Sequence, residues 1–311
     1  MKIAFLTAGG IAPCLSASIG ALIQRYNDTA PDAELIGYLN GYRGLLIGES
    51  ITFPSTVREQ YSTLYDFGGS PIGNSRVKLT NVEDCIERGY VQDGENPLKV
   101  AADQLTKDGI DILHTIGGDD TNTMAAQLSF YLKENGYDLT VVGLPKTVDN
   151  DLPITDTCPG FGSVAKYVAV STREAALDVV SMCETSTKIF VLEVMGRHAG
   201  WIAAASALAQ EENGDAPHII LLPEVPFQQA KFLRKVKETV QKQGYCVVVV
   251  SEGAQYKDGT FLADAGGKDA FGHTQLGGVA PMVAEMIKVK WGYKYHWAVA
   301  DYLQRAARHI A

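Results

Sequence analysis

Short β-branched runs alternate with helix-spaced apolar positions along this chain. The runs at 3–6, 110–116 and 140–144 predict strands, and the patterns at 15–26 and 124–134 predict the helices between them, the order of a parallel sheet. A second series follows, with strands predicted at 188–194, 218–222 and 245–250. Helices are predicted around 201–210 and 228–243, the last stopped by Gly244. Between the two series Val164, Val168, Ala175, Val179 and Cys183 recur near helical spacing, so a long helix is expected over 161–184. The boundary falls near 151–160. The predicted fold is α/β: two doubly wound, three-layer (αβα), Rossmann-like domains with mainly parallel sheets, at 1–150 and 151–300. No repeat of fixed period is present, and the loops richest in glycine and polar residues are 66–80 and 255–278. Long loops of that kind in a compact enzyme are often functional.

With 311 residues, 46% of them hydrophobic, the chain can bury two cores of about 150 residues each. Against 36 Asp and Glu stand 27 Lys and Arg, a net charge of −9, which disfavours nucleic acid and anionic lipid as partners and leaves small-molecule chemistry. Cys14, Cys85, Cys158, Cys183 and Cys246 are odd in number and widely spaced, with no Cys-x-x-Cys pair, so neither a disulfide framework nor a zinc site is signalled. A reducing, cytoplasmic setting is expected. The chain begins in a strand-like run without a signal-peptide pattern, and no stretch approaches 18 uninterrupted apolar residues, so no membrane association is expected.

Ligands of open α/β sheets bind beyond the carboxyl ends of the strands. The polar motifs of this chain recur there: Thr7-Ala8-Gly9-Gly10, Gly117-Gly118-Asp119-Asp120-Thr121, the segment 145–151, Met195-Gly196-Arg197 and Ser251-Glu252-Gly253. Their convergence predicts one cleft between the two domains. A glycine turn opening onto a helix gathers free N–H groups and the positive helix end, which suits phosphate oxygens, and one acid there can hold Mg²⁺ against them. Asp120 has two readings, a second acid facing the ligand or a helix N-cap. Asp149 and Asp151 can form a general base with a charged neighbour, or an Asx-rich turn ahead of Pro153. Lys146 is either a cation that offsets charge on phosphates or an ordinary exposed lysine. Arg197 suits a phosphate or sugar contact or an interdomain salt bridge. His198 is read as structural, Cys14 as a thiol without a histidine partner, and Trp201, Trp291 and Trp297 as core or interface residues.

In order and residue type these motifs resemble the phosphofructokinases, and more closely their diphosphate-dependent branch. Thr7-Ala8-Gly9-Gly10-Ile11-Ala12-Pro13, Gly117-Gly118-Asp119-Asp120, Pro145-Lys146-Thr147-Val148-Asp149-Asn150-Asp151, Met195-Gly196-Arg197-His198-Ala199-Gly200 and Tyr302-Leu303-Gln304-Arg305 carry the likeness over nearly the whole chain. The resemblance implies phosphoryl transfer from diphosphate to the 1-hydroxyl of fructose 6-phosphate, with Mg²⁺ as cofactor, in a homodimer or homotetramer. It implies a donor half at 1–150, rejoined by the chain from about 300, and a sugar half at 151–300. By it Gly10, Gly118 and Arg76 meet the donor, Asp119 binds Mg²⁺, and Asp149 accepts the hydroxyl proton. Thr147, Val148, Asp149, Met195, Gly196, Arg197, Glu252, Tyr302 and Arg305 hold the sugar. Lys188 falls where ATP-using relatives carry an arginine that reaches a neighbouring subunit's sugar phosphate.

Donor choice turns on Asp120 and Lys146, where ATP-using relatives usually have glycine. In the diphosphate-using branch the aspartate is thought to fill the place of the ATP α-phosphate, and the lysine to stabilise the phosphates in transfer. Like charges about 4 Å apart repel by roughly 4 kcal/mol at an effective dielectric near 20, close to three decades in binding. An ATP-dependent enzyme that tolerates Asp120 is one alternative, and a catalytically silent, sugar-phosphate-sensing subunit is another. Relatives continue past the Tyr-x-x-Arg segment, whereas here 306–311 ends the chain. The expectation is a truncated chain or a short member, with Tyr302 and Arg305 near a loose terminus.

Overall fold

The computed structural model describes residues 1–268 and 274–306. Its first part runs β1 (Lys2–Thr7), α1 (Leu15–Thr29), β2 (Glu34–Tyr38), α2 (Tyr42–Ile47), β3 (Ser50–Thr52), α3 (Ser55–Arg58) and a 3-10 turn (Tyr61–Asp66). It continues through α4 (Val82–Glu87), α5 (Pro97–Lys107), β4 (Ile112–Gly117), α6 (Asp119–Glu134) and β5 (Thr140–Pro145). After an irregular segment come α7 (Phe161–Met182), β6 (Ile189–Val194), α8 (Trp201–Ala205) with a 3-10 turn (Ser206–Ala209), β7 (Ile219–Leu221), α9 (Gln229–Gln243) and β8 (Cys246–Ser251). The short strands β9 (Asp264–Lys268) and β10 (Thr274–Leu276) precede α10 (Val279–Trp291), β11 (Tyr295–Val299) and α11 (Asp301–Arg305).

The strands form a sheet of order β3-β2-β1-β4-β5, parallel except for β3, and a parallel sheet of order β11-β6-β8-β7. Alternation along β1 builds the layers, because successive side chains of a strand face opposite sides. Ile3 and Phe5 pack with Leu15, Ile19 and Ile23 of α1, while Ala4 and Leu6 pack with helices α5 and α6 through Ala101, Leu105, Met124 and Leu128. In the second sheet Val191, Val248 and Val250 face α9 and α10, and Leu192, Val194 and Val249 face α7 and α8. Strands buried on both faces read as continuous apolar runs, which is what 246–250 (Cys-Val-Val-Val-Val) is.

The expected α/β layering is present, with differences at element ends. The helix expected at 124–134 starts at Asp119, so Gly118 is its N-cap and Asp120 lies in its first turn, not at the cap. Gly244 ends α9 in the left-handed region, φ +86°, with its N–H on the Val240 carbonyl. The expected loop 255–278 holds the β9–β10 pairing; its residues 269–273, and the tail 307–311, lie outside the described residues. Trp201 (55% exposed) and Trp297 (46%) are not in the core, whereas Trp291 donates its indole N–H to the Leu233 carbonyl at 3.0 Å. Among the described residues no helix is long and apolar enough to cross a membrane.

One close approach sets the turns after β6 and β8. Gly253 lies so near the Arg197 carbonyl that an added Cβ would overlap it, and the Ser251 hydroxyl donates to the Gly196 carbonyl. Gly253→Ala must push these backbones apart, so a loss of stability of about 1–3 kcal/mol is expected, read as a lower melting temperature. An unchanged melting curve would contradict the close approach.

Candidate active site

Three strand ends of the first sheet meet at one point. The register pairs Thr7 of β1 with Ile116 of β4, and Gly117 of β4 with Pro145 of β5. The Lys146 N–H then donates to the Gly117 carbonyl at 2.9 Å, which aims the Lys146 side chain back across both glycine turns. Gly9 takes φ +85°, and its N–H is held by the Ser75 carbonyl at 2.9 Å. A Cβ added at Gly9, Gly10 or Gly118 would stand 3.9, 4.0 and 3.9 Å from Lys146 Nζ, so the ammonium sits among all three glycines. It donates to the Gly10 carbonyl and is only 3% exposed, which excludes the exposed-lysine reading. Burial brings its pKa down to about 8, with Arg305 and Arg76 adding to the fall, and Cys14 and Asp149 opposing it.

The acids fall into two groups, Asp119 and Asp120 on α6 and Asp149 and Asp151 on the loop after β5. Asp119 and Asp120 are exposed in the first turn of α6, where Thr121 is buried beneath Gly9 and Gly117. Asp120 Oδ2 lies 3.1 Å from Lys78 Nζ. Asp149 sits on the loop after β5, where its N–H donates to the Thr147 hydroxyl at 3.1 Å and that hydroxyl donates to Asp151 at 3.1 Å. Asn150, at φ +56°, holds the loop by accepting from the Cys158 N–H at 2.7 Å. Burial, with help from the Asp151 charge, raises the Asp149 pKa to about 6, against the pull of Lys146, Arg305 and Arg197.

At the carboxyl ends of the second sheet a cavity of about 370 Å³ is lined by Met195, Glu252, Leu276, Tyr302 and Gln304, among others. That is within the range of small-molecule pockets, about 300–1,000 Å³. Burial raises the Glu252 carboxyl to about 7, although its Oε1 accepts from the Gly196 N–H at 3.4 Å. Arg305 on α11 spans the two halves: its guanidinium stacks 4.7 Å from the Tyr302 ring centroid and its Nε donates to the Ile11 carbonyl at 3.4 Å.

Most of the residues expected at the site therefore converge. Gly10, Gly118, Lys146, Asp149, Arg197, Glu252 and Arg305 lie within one another's contacts or fields. Arg76 is exposed on the segment that bridges to Ala8 through Ser75. The Val148 side chain is instead buried with Ala12 and Val164 in the core shared by the two halves, so it serves packing. Lys188 lies at the opposite end of β6 from Met195, roughly 20 Å along a strand of this length, and its ammonium donates to the Cys183 carbonyl at 2.6 Å. It does not reach this chain's cleft. The Cys14 thiol is pushed up to about 11 by burial, which opposes a thiolate, and the His198 ring faces Phe261.

Two residues at the site, Lys78 and Glu193, carry no expectation from the sequence, and a third, Gln304, enters only as part of the Tyr302–Arg305 motif. Lys78 lies within the alternating polar and apolar run Arg76-Val77-Lys78-Leu79, which is the signal that marks it. Glu193, 2% exposed, accepts from the Ala280 N–H at 2.8 Å at the start of α10 and lines the cavity. Gln304, fully buried, accepts from the Met195 N–H at 3.4 Å. Gln304 lies inside the Tyr302–Arg305 motif, whereas Glu193 carries no sequence signal, because its part depends on contacts between distant segments.

Residues 2–308 match the family model described as Phosphofructokinase. The pyrophosphate–fructose 6-phosphate 1-phosphotransferase of Halomonas elongata is 49% identical over 309 residues, covering 99% of this chain and 71% of that protein. The Methylococcus capsulatus protein of the same name is 47% identical over the same shares. The crystal structure of a pyrophosphate-dependent phosphofructokinase from Marinobacter aquaeolei superposes with a TM-score of 0.84 at 42% identity, covering 100% of this chain and 70% of that one.

Proposed function

This chain belongs to the phosphofructokinase family, and we propose on that premise that it transfers a phosphoryl group from diphosphate to the 1-hydroxyl of fructose 6-phosphate, giving fructose 1,6-bisphosphate and phosphate. The observation that carries the reading is the buried Lys146 ammonium among Gly9, Gly10 and Gly118, in the field of the Asp149 carboxylate. A phosphate site and a base for a hydroxyl proton thus share one wall. Phosphoryl transfer asks for little more than positioning and charge stabilisation.

Gly10, Gly118 and Arg76 receive the diphosphate, and Lys146 faces the phosphates in transfer. Asp149 takes the proton of the sugar hydroxyl, a task suited to a carboxylate whose pKa burial has raised. Thr147, Met195, Gly196, Arg197, Glu252, Tyr302 and Arg305 hold the sugar phosphate. Among the described residues no three acidic, His or Cys side chains gather as a metal cage. One exposed carboxylate, Asp119, at a helix start fits Mg²⁺ that arrives with donor phosphates and waters. Bound there, Mg²⁺ would neutralise charge on the donor oxygens. The donor half is taken as 1–150 with the chain from about 300, and the sugar half as 151–300. A homodimer or homotetramer is the assembly in which Lys188 could serve a neighbouring subunit's sugar. A cytoplasmic location accords with these metabolite substrates.

Initial rates of fructose 1,6-bisphosphate formation with Mg²⁺, diphosphate and ATP supplied in parallel test the reading. Turnover with diphosphate alone is expected; turnover with ATP alone would overturn the donor, and none with either would favour a silent subunit. Asp120→Gly is expected to lower diphosphate turnover by about tenfold and to admit ATP, and an unchanged donor preference would contradict its role. The pH profile of kcat/KM should be bell-shaped. The base form of Asp149 is lost as pH falls through about 6, and the Lys146 cation is lost as pH rises through about 8. The two limbs belong to the coupled cluster, and Lys146→Arg should move the alkaline limb upward. A flat alkaline limb would contradict a required ammonium.

A further inference from the structure

Asp120 does not meet the donor as a lone negative charge. Its carboxylate is 3.1 Å from the Lys78 ammonium, and the two residues line one small recess together with Ala8, Gly9, Arg76 and Thr121. Burial alternates along this irregular segment: Val77 and Leu79, 7% and 1% exposed, are buried in the core of the first half, whereas Arg76 is exposed and Lys78 half-buried. The backbone is tethered on both sides of the pair. Ser75 bridges to Ala8, and the Lys78 carbonyl accepts from the Asn81 N–H at 3.0 Å, the residue that caps α4. Asp120 is fixed from beneath by Thr121, 3% exposed and packed under Gly9 and Gly117. With side chains 27% and 52% exposed, the ion pair contributes little to stability. Its consequence lies at the recess, where it closes the space next to the donor turn and offsets the Asp120 charge on a wall that also carries Arg76.

We propose that Lys78 is a specificity-determining residue that acts through Asp120, holding that carboxylate across the recess and neutralising it so that diphosphate is accepted and a longer polyphosphate donor is blocked. The inference rests on the diphosphate reading above. Without Lys78 the carboxylate faces the incoming diphosphate without its ion-pair partner. Lys78→Met is therefore expected to raise KM for diphosphate about tenfold, with KM for fructose 6-phosphate and the melting temperature little changed. Lys78→Arg should restore most of the loss. In an Asp120→Asn background Lys78→Met should change KM for diphosphate less than about twofold, because the carboxylate through which it acts is gone. An equal penalty in both backgrounds would mean that Lys78 touches the donor itself, and no penalty in either would mean that it has no part in donor choice; each overturns the proposal. A wild-type chain without diphosphate turnover would overturn the parent reading and this inference together, and the wild-type control separates that outcome from the others.

Discussion

Taking a lysine ammonium out of water costs several kcal/mol unless hydrogen bonds and nearby negative charge stand in for the solvent. Lys146 meets that requirement with the Gly10 carbonyl and the field of Asp149, at the point where β1, β4 and β5 end. The constraint explains the glycines around it. A side chain at Gly9 would press on the Thr121 hydroxyl at 3.2 Å, in a backbone conformation that L residues rarely adopt. The Gly10 carbonyl and the Asp149 carboxylate leave the ammonium charged near neutral pH, and its pKa, lowered to about 8, records the cost of burial.

The second half of the cleft depends on how the two sheets are joined. Ala12 and Val148, from the loops after β1 and β5, share one core with Val164 and Val168 of α7 and Leu192 and Val194 of β6. The glycine turn after β1, the loop that carries Asp149 and the cavity of the second sheet are thereby held by a single packed layer. Arg305 then closes the gap, with Tyr302 on one side and the Ile11 carbonyl on the other. Packing and electrostatics meet in the 147–149 segment, where the Thr147 hydroxyl accepts from the Asp149 N–H, Val148 anchors the loop in the core and the Asp149 carboxyl is raised by burial.

Much of this was legible along the chain. The buried strands announce themselves as apolar runs at 3–6 and 246–250, and the glycine turns mark the strand ends where ligands bind. What escaped depended on distant partners. β9 contains Ala-Gly-Gly, which carries little strand propensity and is shaped by its pairing with β10. The burial of Lys146 follows from the register of β4 on β5, and the Lys78–Asp120 pair joins two loops that composition alone does not bring together. Asp120 reads as a good N-cap, yet Gly118 takes that place and leaves the carboxylate to face Lys78. In each case local propensity was overridden by a tertiary contact at the site.

The most direct test of the account is the separation of kcat from KM for Lys146→Met with diphosphate and fructose 6-phosphate both varied. A buried ammonium that acts on charge developing in the transition state predicts a fall in kcat of about a hundredfold or more, with both KM values within roughly threefold. A raised KM for diphosphate at an unchanged kcat would contradict it, and would make Lys146 a binding residue only.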